Sequence, residues 1–286
     1  MLELQSLLRS VRKGEARHTR PQRPPDHCLT IRDVIKMRMQ QDPEMNGVDA
    51  TWLRFQLEAV INGQSAKIGP FDGVDGAWKD EPCFVLGASP GLRNAMNQGF
   101  RFDMLDGFHT IAVNHVIEDY PRAEWLLFLD KRFVDICKIN LLRDYKGRMF
   151  AHIKARLEPS KRVTVFYTQG DGPSEHLVQG LFTFICSGLN AINLALISGA
   201  NPIYLMGLDS GGQTDDTIST HYKTGYTGEV IKPGGIEKFK RRVPEILLRY
   251  APYADRFRNV DPLGNITVFP KISIREIPEL AGKFAT

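Results

Sequence analysis

Thr220-His221-Tyr222 lies in a Gly- and Thr-rich stretch, Gly211 to Gly228, twelve residues beyond Asp209. An imidazole titrating near neutrality, following a carboxylate, is the pairing that general acid–base chemistry uses. A stretch of this length and composition is long enough to fold over a site as a lid. Two readings stand for His221: a general acid or base on a lid, or a loop residue with no chemical duty. Asp209 closes the run Ile203-Tyr204-Leu205-Met206-Gly207-Leu208-Asp209. Open α/β sheets collect their catalytic carboxylates at such buried strand ends.

Four further positions suit a nucleotide. The run Cys83 to Leu86 breaks into Gly87-Ala88-Ser89-Pro90-Gly91-Leu92. A strand that ends on glycines and enters a helix exposes backbone N–H groups to an anion, which makes Gly87, Ser89 and Gly91 candidates. No Lys-Ser/Thr pair follows, so this is not an ATP-cradling Walker loop, and a tight strand-to-helix turn is the plain alternative. Asn114 follows Ala112-Val113. Its amide offers a donor and an acceptor to a base or ribose, or else satisfies the next turn. In Phe128-Leu129-Asp130-Lys131-Arg132, Asp130 suits a ribose or a metal, and Lys131 and Arg132 suit phosphates; a solvated, salt-bridged loop explains the same residues. In Ser187-Gly188-Leu189-Asn190-Ala191-Ile192-Asn193, a serine cap and a glycine leave helix N–H groups open to a ligand. Asn190 and Asn193 share one side of that helix and are costly there unless bonded. Structural capping is the alternative.

These residues need strands and helices to bring them to one edge. Short apolar runs alternate with helical segments, the signature of a parallel sheet flanked by helices. The predicted strands are Cys83 to Leu86, Thr110 to Val113, Trp125 to Leu129, Arg162 to Phe166, Ile203 to Met206 and Ile266 to Phe269. Ser187 to Ser198 is apolar nearly all round and predicts a fully buried helix stopped by Gly199, whereas Pro233 to Tyr250 predicts an amphipathic one. The fold class is therefore α/β, a Rossmann-like, mostly parallel sheet flanked by helices, with a helical, basic N-terminal extension. Residues 1–29, with Arg9, Arg12, Lys13, Arg17, Arg20 and Arg23, are expected to form a flexible arm. Residues 30–78 form a helical extension and linker, two helices and a Gly-rich loop, and residues 79–286 the nucleotide-binding domain.

Composition narrows the classes. The chain has 286 residues, 42% hydrophobic and 24% charged, enough apolar material for a large core. The net charge of +4 is far from that of an obligate nucleic-acid coat, although the basic arm offers a nucleic-acid contact. Cys28, Cys83, Cys137 and Cys186 are scattered singly, which argues against a zinc cluster or a disulfide framework. His109, His152 and His176 lack a setting like that of His221, and no HxxxH pattern argues for a metal site. The longest apolar stretch, Ala191 to Leu208, is broken by Asn193, Asn201 and Pro202, so no membrane span is expected. A cytoplasmic protein is expected, in host cytoplasm if phage-encoded.

Taken together, residues 82 to 275 resemble a superfamily that joins the family-42 bacterial sialyltransferases, the archaeal-type 6-hydroxymethylpterin diphosphokinases and many bacterial and phage proteins. The resemblance rests on a strand followed by Gly-x-x-Pro-Gly-Leu, on Asn114, and on the aspartate of Phe-Leu-Asp. It continues with Ser187-Gly188 opening a helix that runs into Ile-Tyr-Leu-x-Gly-x-Asp, and with Phe269-Pro270-Lys271-Ile272-Ser273. Ala88-Ser89 stands where the family commonly has Asn-Gly. The resemblance implies that the glycine turn, Asn114 and Ser187-Gly188 hold the nucleotide half of a nucleotide-sugar, with His221-Tyr222 at the place of the general base.

The activity so implied is glycosyl transfer, which requires no cofactor. A second reading is a magnesium-dependent diphosphotransferase in which Asp130 and Asp209 hold the metal. A third is a phage or bacterial assembly protein that keeps the fold for binding and does no chemistry.

Overall fold

The structure is a computed structural model that describes residues 29–30, 67–129, 133–134, 139–155, 157–168, 172–182, 186–208, 242–260 and 266–283. Most of the basic arm, the two helices expected before residue 61, and Asp130, Lys131, Arg132, Asp209 and His221 lie outside the described residues.

Among the described residues, seven strands form one sheet: Cys83–Leu86 (β1), His109–Val113 (β2), Trp125–Phe128 (β3), Arg148–His152 (β4), Val163–Phe166 (β5), Ile203–Met206 (β6) and Phe257–Asn259 (β7). Their order is β5-β4-β3-β2-β1-β6-β7, and every neighbouring pair is parallel. The chain builds outward from β1 to β5, then crosses back to place β6 on the other side of β1. This is the α/β Rossmann-like arrangement read from the sequence.

Period-two alternation explains why the strands read as continuous apolar runs. Cys83 and Val85 point into one core, Phe84 and Leu86 into the other, so both faces of β1 are buried. Helices cover the two faces: Pro90–Asn97 (α1), Ile139–Asp144 (α2) and Ser187–Ile197 (α3). Pro90 starts α1 with its fixed φ, and Leu92 and Ala95 turn toward Phe84 and Leu86. Helix α3 lies against β1, β2, β3 and β6 on the opposite face, and Gly188 through Ile197 are all buried. Gly199, at φ +83, ends its last turn in a conformation that glycine adopts freely.

Two differences from the expected strands have local causes. Arg148–His152 is an inner strand, next to the edge strand β5, with only Met149, Phe150 and Ala151 as its apolar run between two polar ends, so the sequence pattern hides it. Ile266 to Phe269 is not a strand; Phe257–Asn259 takes the outer place, and Asn259 bridges Lys271 instead. The helix expected over Pro233 to Tyr250 is described only from residue 242. It is helical over residues 242–247 and tightens into a 3-10 segment, Leu248–Arg256.

Both outer strands are covered. Gly69 bridges Val165 on β5, and Lys67–Ile68 pairs in turn with Leu29–Thr30. Ile68, Phe71, Val74 and Trp78 enter the same core as α3. Arg148 holds this segment by donating to Pro70 O, Asp72 O and Thr164 Oγ1. At the far end of α3, Gly76 N and Trp78 N donate to Ile197 O and Ser198 O, which satisfies carbonyls that a helix terminus leaves bare.

Candidate functional site

The ends of β1, β2 and β6 and the start of α3 meet at the carboxyl edge of the sheet. Asn114 is the first residue past β2 and sits at φ +51, a left-handed conformation that asparagine tolerates better than most residues. The turn directs its side chain toward α3, where Ser187 Oγ lies 3.4 Å from Asn114 Oδ1. Two residues 73 positions apart in sequence are thereby joined. Ser187 does not cap the helix as expected: Cys186 holds the N-cap position and Ser187 is the first helical residue, which frees its hydroxyl for Asn114. Burial pushes the Cys186 thiol up, and the N–H groups of Leu189 and Gly188 offset part of that rise.

The glycine turn after β1 is in tight contact with β6. Gly87 N donates to Met206 O at 2.7 Å and Ser89 N to Gly207 O at 3.0 Å. A Cβ on Gly87 would collide with Gly207 O and with Leu208 Cδ2, so only glycine fits. The same leucine carbon lies 2.7 Å from where a Cβ on Gly188 would be. The bare sides of Gly87 and Gly188 thus both face Leu208, a residue that sequence reasoning passed over. Ser89 is the N-cap of α1, and Gly91 lies buried in its first turn.

Asn190 and Asn193 are both fully buried. Asn193 accepts from Ser174 N at 3.1 Å and Phe182 N at 3.0 Å and donates to Ser174 O at 2.9 Å, a structural duty that pins the segment 172–182 to α3. Tyr250 adds a second tie, its hydroxyl donating to Leu189 O at 3.0 Å.

His152, set aside in the sequence for lack of a setting like that of His221, stands at this edge. His152 ends β4, is buried, and accepts from Lys154 N at its Nδ1. Burial, with Lys154 nearby, holds its imidazole down at about 3, so it is neutral at physiological pH. Strand-end position was the available signal, but the strand itself was not recognised.

The opposite, amino edge carries a cleft of about 560 Å³ before β2, β3 and β4, lined by Asp106, Tyr120, Arg122, Glu124 and Lys146 among others. Its charged groups are largely engaged with one another. Arg122 pairs with Asp106 at 2.7 Å, and His109 lies 2.7 Å from Glu124 and 3.0 Å from Glu81 while stacking on Trp78. These contacts tie the segment before β1 to the sheet. Among the described residues, no group of three His, Cys, Asp or Glu side chains is arranged to hold a metal ion. Among them, too, no helix is long and apolar enough to cross a membrane.

The chemistry of the carboxyl edge is that of a polar corner. An amide and a hydroxyl meet at the start of a buried helix beside two glycines, while the N–H groups of Gly87 and Ser89 are taken by the carbonyls of Met206 and Gly207. Such a corner offers donors and acceptors to a polar ligand.

No protein-family model matches the chain. No curated protein matches it either. Among solved structures, it is similar to the MAf glycosyltransferase from Magnetospirillum magneticum AMB-1, with 13% identity and a TM-score of 0.50 over 88% of this chain. The chain spans only 44% of that protein's length. At this identity the likeness shows the fold, a Rossmann-like α/β domain of a kind that a glycosyltransferase also uses.

Proposed function

We propose that the protein is a nucleotide-sugar-dependent glycosyltransferase of the sialyltransferase-like kind, with the nucleotide at the carboxyl edge of the sheet. The observation that carries this reading is the meeting of Asn114 and Ser187 across the β2 end and the α3 start. The likeness in fold to a glycosyltransferase supports it. Asn114 and Ser187 hydrogen-bond the base or ribose, the phosphate lies at the start of α3 by Ser187-Gly188 and beside the turn that holds Gly87, Ser89 and Gly91, and Asn190 supports that helix from within. Lys131 or Arg132 neutralises the departing phosphate, and Asp130 orients the ribose.

In the transfer step the acceptor hydroxyl oxygen forms a bond to the anomeric carbon. The bond from that carbon to the phosphate oxygen breaks, its electron pair leaving with the nucleotide. His221 takes the acceptor proton, Asp209 is the second catalytic residue of the reading, and no metal is needed for the balance.

The test is a thermal-shift panel of CMP, CTP, UDP, GDP and ATP, each with and without magnesium. A ligand bound only by the folded chain must raise the melting temperature. A response to a pyrimidine nucleotide without metal is the expected result. A response only to ATP with magnesium replaces this reading by diphosphotransfer, and silence across the panel replaces it by a binding role without chemistry.

A further inference from the structure

Helix α3 presents Ser187 to Asn114, and the segment Leu248–Arg256 bonds that helix at both ends. Tyr250 donates to Leu189 O at 3.0 Å in the first turn, while Arg256 donates to Leu196 O and, at 2.7 Å, to Ala200 O beyond the last. Inside an α-helix the Leu189 carbonyl already has a backbone partner one turn on, so the phenol takes its second lone pair. Satisfying that carbonyl does not require Tyr250. The ring itself is held fast. Tyr250 is fully buried, and its ring centroid lies 5.7 Å from that of Phe182, 6.0 Å from Phe257 and 6.4 Å from Phe269. Those rings come from the chain leading into α3, from β7 and from the stretch after residue 266, so together they fix the place of one hydroxyl. Burial pushes the pKa of that hydroxyl up, and the neighbouring Cys186 thiol adds to the rise, so it stays protonated and donates. Cys186 and Leu189 flank Ser187-Gly188, which places the hydroxyl against the turn that carries both site residues.

Resting on the nucleotide reading above, we propose that Tyr250 is a positioning residue, whose bond to Leu189 O sets where α3 sits along its axis and so where Ser187 meets Asn114. It touches no ligand and acts through the helix start. The Ser187–Asn114 contact is already long at 3.4 Å, and a helix rises about 1.5 Å per residue, so a slide by a fraction of one residue would part the two side chains. Arg256 holds only the far end, and a helix terminus frays unless its own turn is anchored.

The experiment is a double-mutant cycle on the full chain. Wild type, Tyr250→Phe, Ser187→Ala and the double variant are titrated calorimetrically with CMP, and near-ultraviolet circular dichroism confirms that each is folded. Tyr250→Phe keeps the ring and removes only the hydroxyl. The expected result is an affinity loss of about threefold for Tyr250→Phe that disappears when Ser187 is already alanine. A merely structural tyrosine gives no loss, or the same loss in both backgrounds, and either result overturns the proposal. Amide hydrogen exchange followed by NMR without ligand gives a second readout that does not depend on the donor. In Tyr250→Phe, exchange at Asn190 and Ala191, whose amides close the first turn, should accelerate about tenfold relative to Leu196 and Ile197 at the end that Arg256 still holds. An equal change along α3, or none, overturns the proposal as well. Wild type silent toward CMP together with this local acceleration refutes the donor reading and leaves Tyr250 as the residue that positions the helix start.

Discussion

His152 couples the stability of the fold to pH. Its imidazole is held at about 3 in the folded chain by burial, with Lys154 nearby, against ~6.5 for an exposed histidine. Above ~6.5 neither state carries the proton, and the folded state keeps the full contribution of the neutral ring. As pH falls from there toward about 3, only the unfolded chain takes up the proton, so this contribution is lost. The loss is on the order of a few kcal/mol across the window. Urea unfolding at pH 7.5, 6, 5 and 4, run on wild type and on His152→Asn, checks this. The asparagine can still accept from Lys154 N but does not titrate, so its stability should fall less steeply; parallel slopes would show that His152 is not the group responsible. For His221 the expected outcome is kinetic. His221→Ala should lower turnover by ~100-fold to 10,000-fold while nucleotide affinity changes little, measured by transfer rate and titration on the same preparations. Equal rates would return His221 to the role of a loop residue.

At the scale of elements, α3 organises the molecule through its buried asparagine. Asn193→Ala removes the acceptor for Ser174 N and Phe182 N and the donor to Ser174 O. Leaving those groups unsatisfied inside the core should cost roughly 2–4 kcal/mol in chemical denaturation. Hydrogen exchange at Ser174 and Phe182 should accelerate more than in β1, because the anchor of that segment is lost while the sheet is not. Uniform acceleration would mean that Asn193 supports the whole core. The behaviour of α3 was legible in the sequence because an all-apolar helix with two asparagines and a glycine stop has few alternatives. The strands Cys83–Leu86 and Ile203–Met206 were legible because each is an unbroken apolar run closed by a glycine. Arg148–His152 was not, since polar ends shorten its apolar run below recognition, and Phe257–Asn259 was not, since its pattern is polar in the middle.

For the whole molecule, the sheet order decides which of the sequence candidates meet. Adjacent parallel strands bring Gly87 and Asn114 to the same edge, and the crossover back to β6 carries Ser187 and Leu208 there as well. Sequence reasoning identified the first three from residue type and position. It passed over Leu208 because a leucine at the end of an apolar run carries no chemical signal; its importance arises only from the two glycines it fills. The nucleotide is held, on this reading, at the corner formed by Asn114 and Ser187. The most direct measurement is isothermal titration of wild type, Asn114→Ala and Ser187→Ala with the nucleotide that gives the largest thermal shift. Affinity should fall about tenfold or more for Asn114→Ala and less for Ser187→Ala, as expected when hydrogen bonds to a bound ligand are removed from a folded chain. Unchanged affinity in both folded variants would contradict it and place the nucleotide elsewhere on the molecule.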